Sequence, residues 1–316
     1  MAQRRLGTGG PEVGPIAFGA MSFAGYYGSA EDAEGIRTIH RALDLGITLI
    51  DTAEVYGDGR NEAMVGRALA DRRDRAVLAT KSSKGAPDYL REHADASLAR
   101  LGVDHIDVYY LHRVDAEVPI EESVGAMSRL VEAGKIRHIG LSEAGPRTVR
   151  RAHAVHPIAA LQSEYSLLQR DPEIDVLPVT RELGIAYVAY SPLSRGLLGG
   201  RIRSADDLAP GDWRRQVPRF QGENLTRNLA VVSKLAEMAA DRGVDVASLA
   251  IAWVLAQGED LVPLVGTSRA DHVERNLEAL RVELTEDDLE AIDAIAPVGA
   301  AAGARYPESY LPRLGV

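Results

Sequence analysis

The chain has 316 residues, 46% of them apolar, enough for one large α/β barrel or for two ordinary domains. Thirty-six basic against 46 acidic residues leave a net charge of −10 with no basic block, which argues against a nucleic-acid partner. With no cysteine there is no disulfide or thiolate chemistry, and with no signal-like or membrane-length apolar run the expectation is a soluble, cytoplasmic protein without a membrane partner.

In chain order, RRLGTGGPEVGP predicts a glycine-turned hairpin within residues 1–14. Short β-rich runs then alternate with longer segments of helical period. The strands are expected at PIAFGA (15–20), ITLID (47–51), AVLATK (76–81), IDVYYLH (106–112), IRHIGLS (136–142), IAALQS (158–163), IAYVAYS (185–191) and LVPLVG (261–266). Between them, EDAEGIRTIHRALDLG and PDYLREHADASLARLG read as helices stopped by Gly46 and Gly102. The alternation breaks at 191–223, a long Gly-, Pro- and Arg-rich loop of the kind that carries function, and a tail follows at 297–316.

Eight nearly all-apolar strands, each buried on both faces, favour a closed parallel (β/α)8 barrel over its competitor, an open doubly wound sheet. No strand-following G-x-G-x-x-G supports the open sheet; GTGG at 7–10 and GLLGG at 196–200 read as turns. The chain is therefore expected to form a single barrel domain over 1–316.

In such a barrel, chemistry sits at the C-terminal ends of the strands. The polar residues there are Asp51, with Tyr56 on the following loop, then Lys81, His112, Ser142, Gln162, Ser163, Tyr190 and Ser191. An acid, a phenol, an ammonium and an imidazole in one mouth suit proton delivery to a carbonyl oxygen. Lys81 would lower the phenol's pKa from about 10, Asp51 would anchor the lysine, and His112 would orient the carbonyl or relay the proton. Singly, each has a plainer reading: Asp51 a cap, Lys81 a rim charge, His112 a core histidine, Tyr56 an interface aromatic. Only Lys81, Lys84, Lys135 and Lys234 among the 36 basic residues are lysines, so a lysine closing a buried strand points to a role for a compact ammonium.

DTAEVYG (Asp51, Tyr56), ATKSS (Lys81) and YYLHR (His112) resemble, in order and spacing, the pattern of the aldo-keto reductases, and the similarity runs from RRLGTGG to the start of the tail. The resemblance implies a barrel that binds extended NADPH without a Rossmann motif and reduces an aldehyde or ketone by hydride transfer, with Tyr56 as proton donor. It implies further that Ser142 and Gln162 hold the nicotinamide carboxamide, with Ser163 where several branches have asparagine. Tyr190 would stack on the ring; Ser191, Leu193 and Gly196 would follow the pyrophosphate. In LVPLVGTSRADHVERN, Asn276 would meet the adenine. Gly266 and His272 stand where lysine and arginine are common, leaving Thr267, Ser268 and Arg269 for the 2′-phosphate. Gly19, Met21, Phe23, Tyr26 and Tyr27 are expected at an apolar rim, Gly19 and Met21 also beside cofactor, so the small-molecule partner is expected to be a hydrophobic carbonyl compound.

Two other classes remain open at this level. One keeps the barrel and nucleotide but senses redox state as a regulatory subunit with little turnover. The other is a metal-dependent barrel using His105, Asp107 and His112, although a regular strand would place Asp107 and His112 on opposite faces. Oligomeric state is not legible.

Overall fold

The computed structural model describes residues 2–26 and 31–316. Two short strands, β1 (Arg4–Arg5) and β2 (Glu12–Val13), pair antiparallel as the predicted hairpin. Eight parallel strands follow: β3 (Ala17–Gly19), β4 (Leu49–Asp51), β5 (Val77–Ser82), β6 (Ile106–Leu111), β7 (Ile136–Ser142), β8 (Ile158–Glu164), β9 (Ala186–Tyr190) and β10 (Leu261–Gly266). Each pairs with its sequence neighbours, and β10 pairs with both β9 and β3, which closes the sheet into the (β/α)8 barrel.

Helices cover the outside: α1 (Asp32–Asp44), α2 (Arg60–Leu69), α3 (Pro87–Leu101), α4 (Ile120–Glu132), α5 (Pro146–Val155) and α6 (Val176–Glu182). The last crossover carries two, α7 (Gly222–Asp241) and α8 (Val246–Ala256), and α9 (Ala270–Leu277) and α10 (Glu286–Ile295) follow β10. The stop signals act as predicted: Gly102 takes a left-handed conformation (φ 67°) immediately after α3, where its lack of Cβ removes the steric cost. The 191–223 stretch is a chain of four short 3-10 turns around residues 194–220, a structure that its weak periodicity hides.

Strand alternation divides the apolar residues into two cores. Outward residues such as Ile50, Leu78, Tyr109, Ile139 and Leu161 pack under the helices. Inward residues Ala17, Leu49, Ala79, Val108, Tyr110, Ala160, Val188 and Val262 fill the barrel, with Leu6 and Val13 of the hairpin in the same cluster. Gly140 makes room for one of them, since a Cβ there would stand 2.3 Å from the Tyr110 ring. Because successive side chains alternate, the same parity carried to the ends of the strands turns Asp51, Lys81, Ser142, Gln162 and Tyr190 inward as well. The barrel interior is thus apolar below and polar in its last layer.

Candidate active site

Above that polar layer opens a cavity of about 680 Å³. Its mouth is lined by Asp51, Tyr56, His112, Arg113 and Tyr26, and one arm runs past Tyr190 and Ser191 toward Asn276.

The innermost element is an ion pair. Lys81 is fully buried and Asp51 is 2% exposed. The lysine Nζ donates to Asp51 Oδ1 and to the Thr52 carbonyl at 2.7 Å, while Gln162 Nε2 donates to Asp51 Oδ2 at 2.9 Å. Burial pushes the Asp51 carboxyl up and the Lys81 ammonium down, and each charge opposes the shift of the other. Lys81 Nζ lies 5.3 Å from the centroid of the Tyr56 ring, and that ring meets His112 edge-on at 5.7 Å and Tyr26 at 6.2 Å.

The loop bearing Tyr56 is clamped by groups that sequence reasoning missed. Thr52 Oγ1 donates to Asn61 Oδ1 at 2.7 Å, and Asn61 Nδ2 donates to the Ala20 carbonyl at 3.0 Å. Buried Glu54 accepts from the Ser83 amide at 2.6 Å and from the Tyr89 hydroxyl at 3.0 Å, and pairs with His93 at 2.8 Å. The signal was a buried acid two residues before the tyrosine, but its donors lie about thirty or more positions away, so no local pattern marks it.

Electrostatics set the protonation states. Tyr56 is raised well above the usual phenol range of about 10, first by burial and then by the Asp51 charge, so it is a neutral phenol at pH 7. His112 is held well below the ordinary imidazole range by burial, with Lys81 and Arg113 adding repulsion, and is neutral too. A positive charge that pulls Tyr56 downward belongs to Arg113, a residue the sequence reading did not name, while Lys81 stands 5.3 Å from the ring centroid with its ammonium held by Asp51.

The other expected residues divide clearly. Gly19, Met21, Ser142, Gln162, Tyr190, Ser191, Leu193, Gly196, Gly266, Thr267, Ser268, His272 and Asn276 all line the cavity. Phe23 does not: it is 3% exposed and packed in the outer core, because the short turn at Ala20–Phe23 points it under α1, near Gly35. Tyr27 lies outside the described residues. Arg269 does not line the cavity; its guanidinium pairs with exposed Asp271 at 2.7 Å. Four arginines line this part of the cavity instead: Arg195, Arg214 and Arg275, paired with Glu164, Asp212 and Asp245, and Arg201, whose Nη2 lies 3.0 Å from His272 Nε2. For the metal alternative, Asp107 turns outward to Arg73 at 2.7 Å near the start of β6, whereas His112 lies past its other end; among the described residues no group of three His, Cys, Asp or Glu is placed to hold a metal.

The tail contributes as much as the barrel. Arg305 forms two bonds to Glu143, Tyr306 lies 3.0 Å from the Tyr190 hydroxyl, and the Gly145 amide donates to the Val316 carbonyl at 2.9 Å. Ser191, Ser194 and Arg195 beside it hold positive φ of 53°, 46° and 54°, and Gly196 follows at 99°. Such strain in non-glycine residues, concentrated along a cavity wall, is a mark of functional loops.

Comparison with known proteins agrees with this geometry. The family model described as "Aldo/keto reductase family" matches residues 15–297. A probable aldo-keto reductase 1 of Glycine max is 44% identical over 315 residues, covering 96% of this chain and 91% of the relative. A glycerol dehydrogenase of Gluconobacter oxydans superposes with a TM-score of 0.86 at 33% identity, over 93% of this chain and 95% of that one. An aldo/keto reductase of Klebsiella pneumoniae, solved with NADP and acetate, gives 0.78 at 28% identity, over 94% and 96% of the two chains. With the match spanning nearly the whole chain and the barrel of the same kind, the protein belongs to the aldo/keto reductase family and is an NADP-dependent oxidoreductase.

Proposed function

We propose that the protein reduces an aldehyde or ketone to an alcohol with NADPH, with Tyr56 as the proton donor. The observation that carries this reading is the convergence of a neutral phenol, a neutral imidazole and a buried lysine–aspartate pair at one mouth of the cavity. The residues present also fit the cofactor. An arm lined by arginines and His272 suits phosphates, while Tyr190 offers an aromatic face and Ser142 and Gln162 offer polar groups beside it. Gln162 spends its Nε2 on Asp51, which leaves its carbonyl oxygen as the acceptor for an amide.

When bound, the nicotinamide supplies the hydride that the carbonyl carbon takes up. The protein's part is at the oxygen. Tyr56 gives its hydroxyl proton to the carbonyl oxygen as negative charge develops there, and neutral His112 donates a hydrogen bond to the same atom. Lys81 and Asp51 fix the floor beneath the phenol ring, and the clamps at Thr52 and Glu54 hold its loop, so the donor is positioned before substrate arrives. The tyrosinate left behind is reprotonated from solvent through the open mouth.

The test is NADPH oxidation with a panel of aldehydes, ketones and dicarbonyls, alongside Tyr56→Phe. Loss of general-acid catalysis predicts a fall of about a hundred- to ten-thousandfold in turnover, with NADPH binding by fluorescence unchanged. Turnover retained in the variant refutes Tyr56 as donor. NADPH binding without any wild-type turnover refutes the reductase reading in favour of a nucleotide-sensing one.

A further inference from the structure

Arg113 is a largely buried cation that the proposed proton transfer does not consume. Its Nη1 donates to the His112 carbonyl at 2.6 Å and to Ser142 Oγ at 3.1 Å, and its Nη2 to the Tyr306 hydroxyl at 3.3 Å. All three partners are uncharged. Among the described residues no carboxylate comes within ion-pair distance of it; of the acids at the ends of β7 and β8, Glu143 acts on it from beyond that distance, and Glu164 faces other arginines.

Those acids are already taken. Arg305 from the tail holds Glu143 with two bonds, and Glu164 is paired with Arg195 at 2.9 Å and reached by Arg219 at 3.5 Å. The tail therefore does more than cover the site: Arg305 engages both Glu143 oxygens, and the guanidinium beside Tyr56 and His112 has no described carboxylate in contact. A guanidinium has five N–H donors, of which three are engaged here. Among the described residues the Nε hydrogen and one on Nη2 have no protein acceptor, and Nε, which has no partner at all, is not among the buried polar atoms sealed from solvent. Since Arg113 lines the cavity, these donors are open to what binds there.

A largely buried guanidinium with no carboxylate in contact and donors to spare gains most from a ligand that brings an anion into contact. We propose that Arg113 is an anion-recognition residue, and that the substrates of this enzyme are carbonyl compounds that also carry a carboxylate. Two free donors on a planar fork match the two oxygens of a carboxylate. The position also selects the arrangement: the carboxylate on Arg113 sets the carbonyl toward Tyr56 and His112, the groups that line the same mouth. This inference rests on the reductase reading for its substrate but not for its binding site.

The experiment separates the two. Benzoate and its neutral isostere benzamide are titrated by calorimetry into the NADP+-loaded protein, in the wild type and in Arg113→Gln and Arg113→Lys. A charge-assisted hydrogen bond predicts that wild type binds benzoate about tenfold to a hundredfold more tightly than benzamide. Arg113→Gln should erase that ratio and Arg113→Lys should retain part of it. If wild type does not discriminate, or if the preference survives in Arg113→Gln, the inference is overturned. Should Arg113→Gln fail to fold, the wild-type ratio and its reduction in Arg113→Lys decide the matter, an undiminished ratio counting against Arg113. In parallel, 4-carboxybenzaldehyde and 4-nitrobenzaldehyde are compared as substrates. Reduction of both without benzoate preference sinks the anion site and leaves the reductase standing; benzoate preference without reduction of either does the reverse.

Discussion

Replacing Lys81 by Met tests the electrostatic floor of the site. In the wild type Lys81 is 0% exposed and Asp51 2%, so the pair is shielded from both water and salt. The methionine removes the donor to Asp51 Oδ1 and to the Thr52 carbonyl and leaves a buried carboxylate whose remaining side-chain donor, among the described residues, is Gln162. Breaking one side of a buried pair costs about 3–5 kcal/mol, and equilibrium urea unfolding at pH 7 should show a loss of that size. The sign of its pH dependence follows from burial. Asp51 has a folded pKa raised above its unfolded value of about 3.9, and without the lysine it rises further, so its protonated form belongs to the folded state. Stability tied to that proton is present at acid pH and lost as pH rises through the folded pKa. The deficit against wild type should therefore be largest near neutral pH and shrink toward about pH 5. The double variant Asp51→Asn with Lys81→Met should lose less than the sum of the two singles. A deficit under about 1 kcal/mol, or one unchanged on acidification, would refute the reasoning.

Cofactor choice supplies a second test. Arg201 lies on the cavity arm beside His272, whereas Arg269 is tied to Asp271 outside it. Arg201→Ala should weaken NADPH binding by about tenfold or more and NADH binding little, while Arg269→Ala leaves the ratio of the two unchanged; the opposite pattern, measured by fluorescence titration, returns the 2′-phosphate to Arg269. The pH profile supplies a third. With Tyr56 raised above the phenol range and His112 depressed below the imidazole range, neither titrates near neutrality. Reductive kcat/KM should stay level from about pH 6.5 to 9, and a falling limb inside that window would show that the phenol is not raised.

Much of this protein is written locally in its chain. Every barrel strand lies within two residues of an apolar run, because burial on both faces leaves a run of Val, Ile, Leu, Ala and Tyr that needs no partner to be recognised. Asp51, Lys81, Ser142, Gln162 and Tyr190 follow from the same rule, since a two-residue period fixes which side chain turns inward at the strand end. Glycine at 46 and 102 marks helix ends because left-handed backbone is a property of one residue.

What only the tertiary structure decided are the partners. Arg113 stands next to His112 in sequence, but only the fold shows that Glu143 is gripped by Arg305, 162 positions farther along, and that no described carboxylate touches Arg113. Lys81 reads as the cation beside the phenol, and the contact that holds it there, with Asp51, crosses 30 positions. Phe23 reads as rim until the turn at Ala20–Phe23 directs it under a helix, and Arg269 reads as a phosphate ligand until Asp271 draws it into solvent. Backbone alternation acts over a few residues and is legible in them. Charge acts through space, and in a closed barrel the residues that line the cavity come from the ends of seven of the eight strands and from a tail.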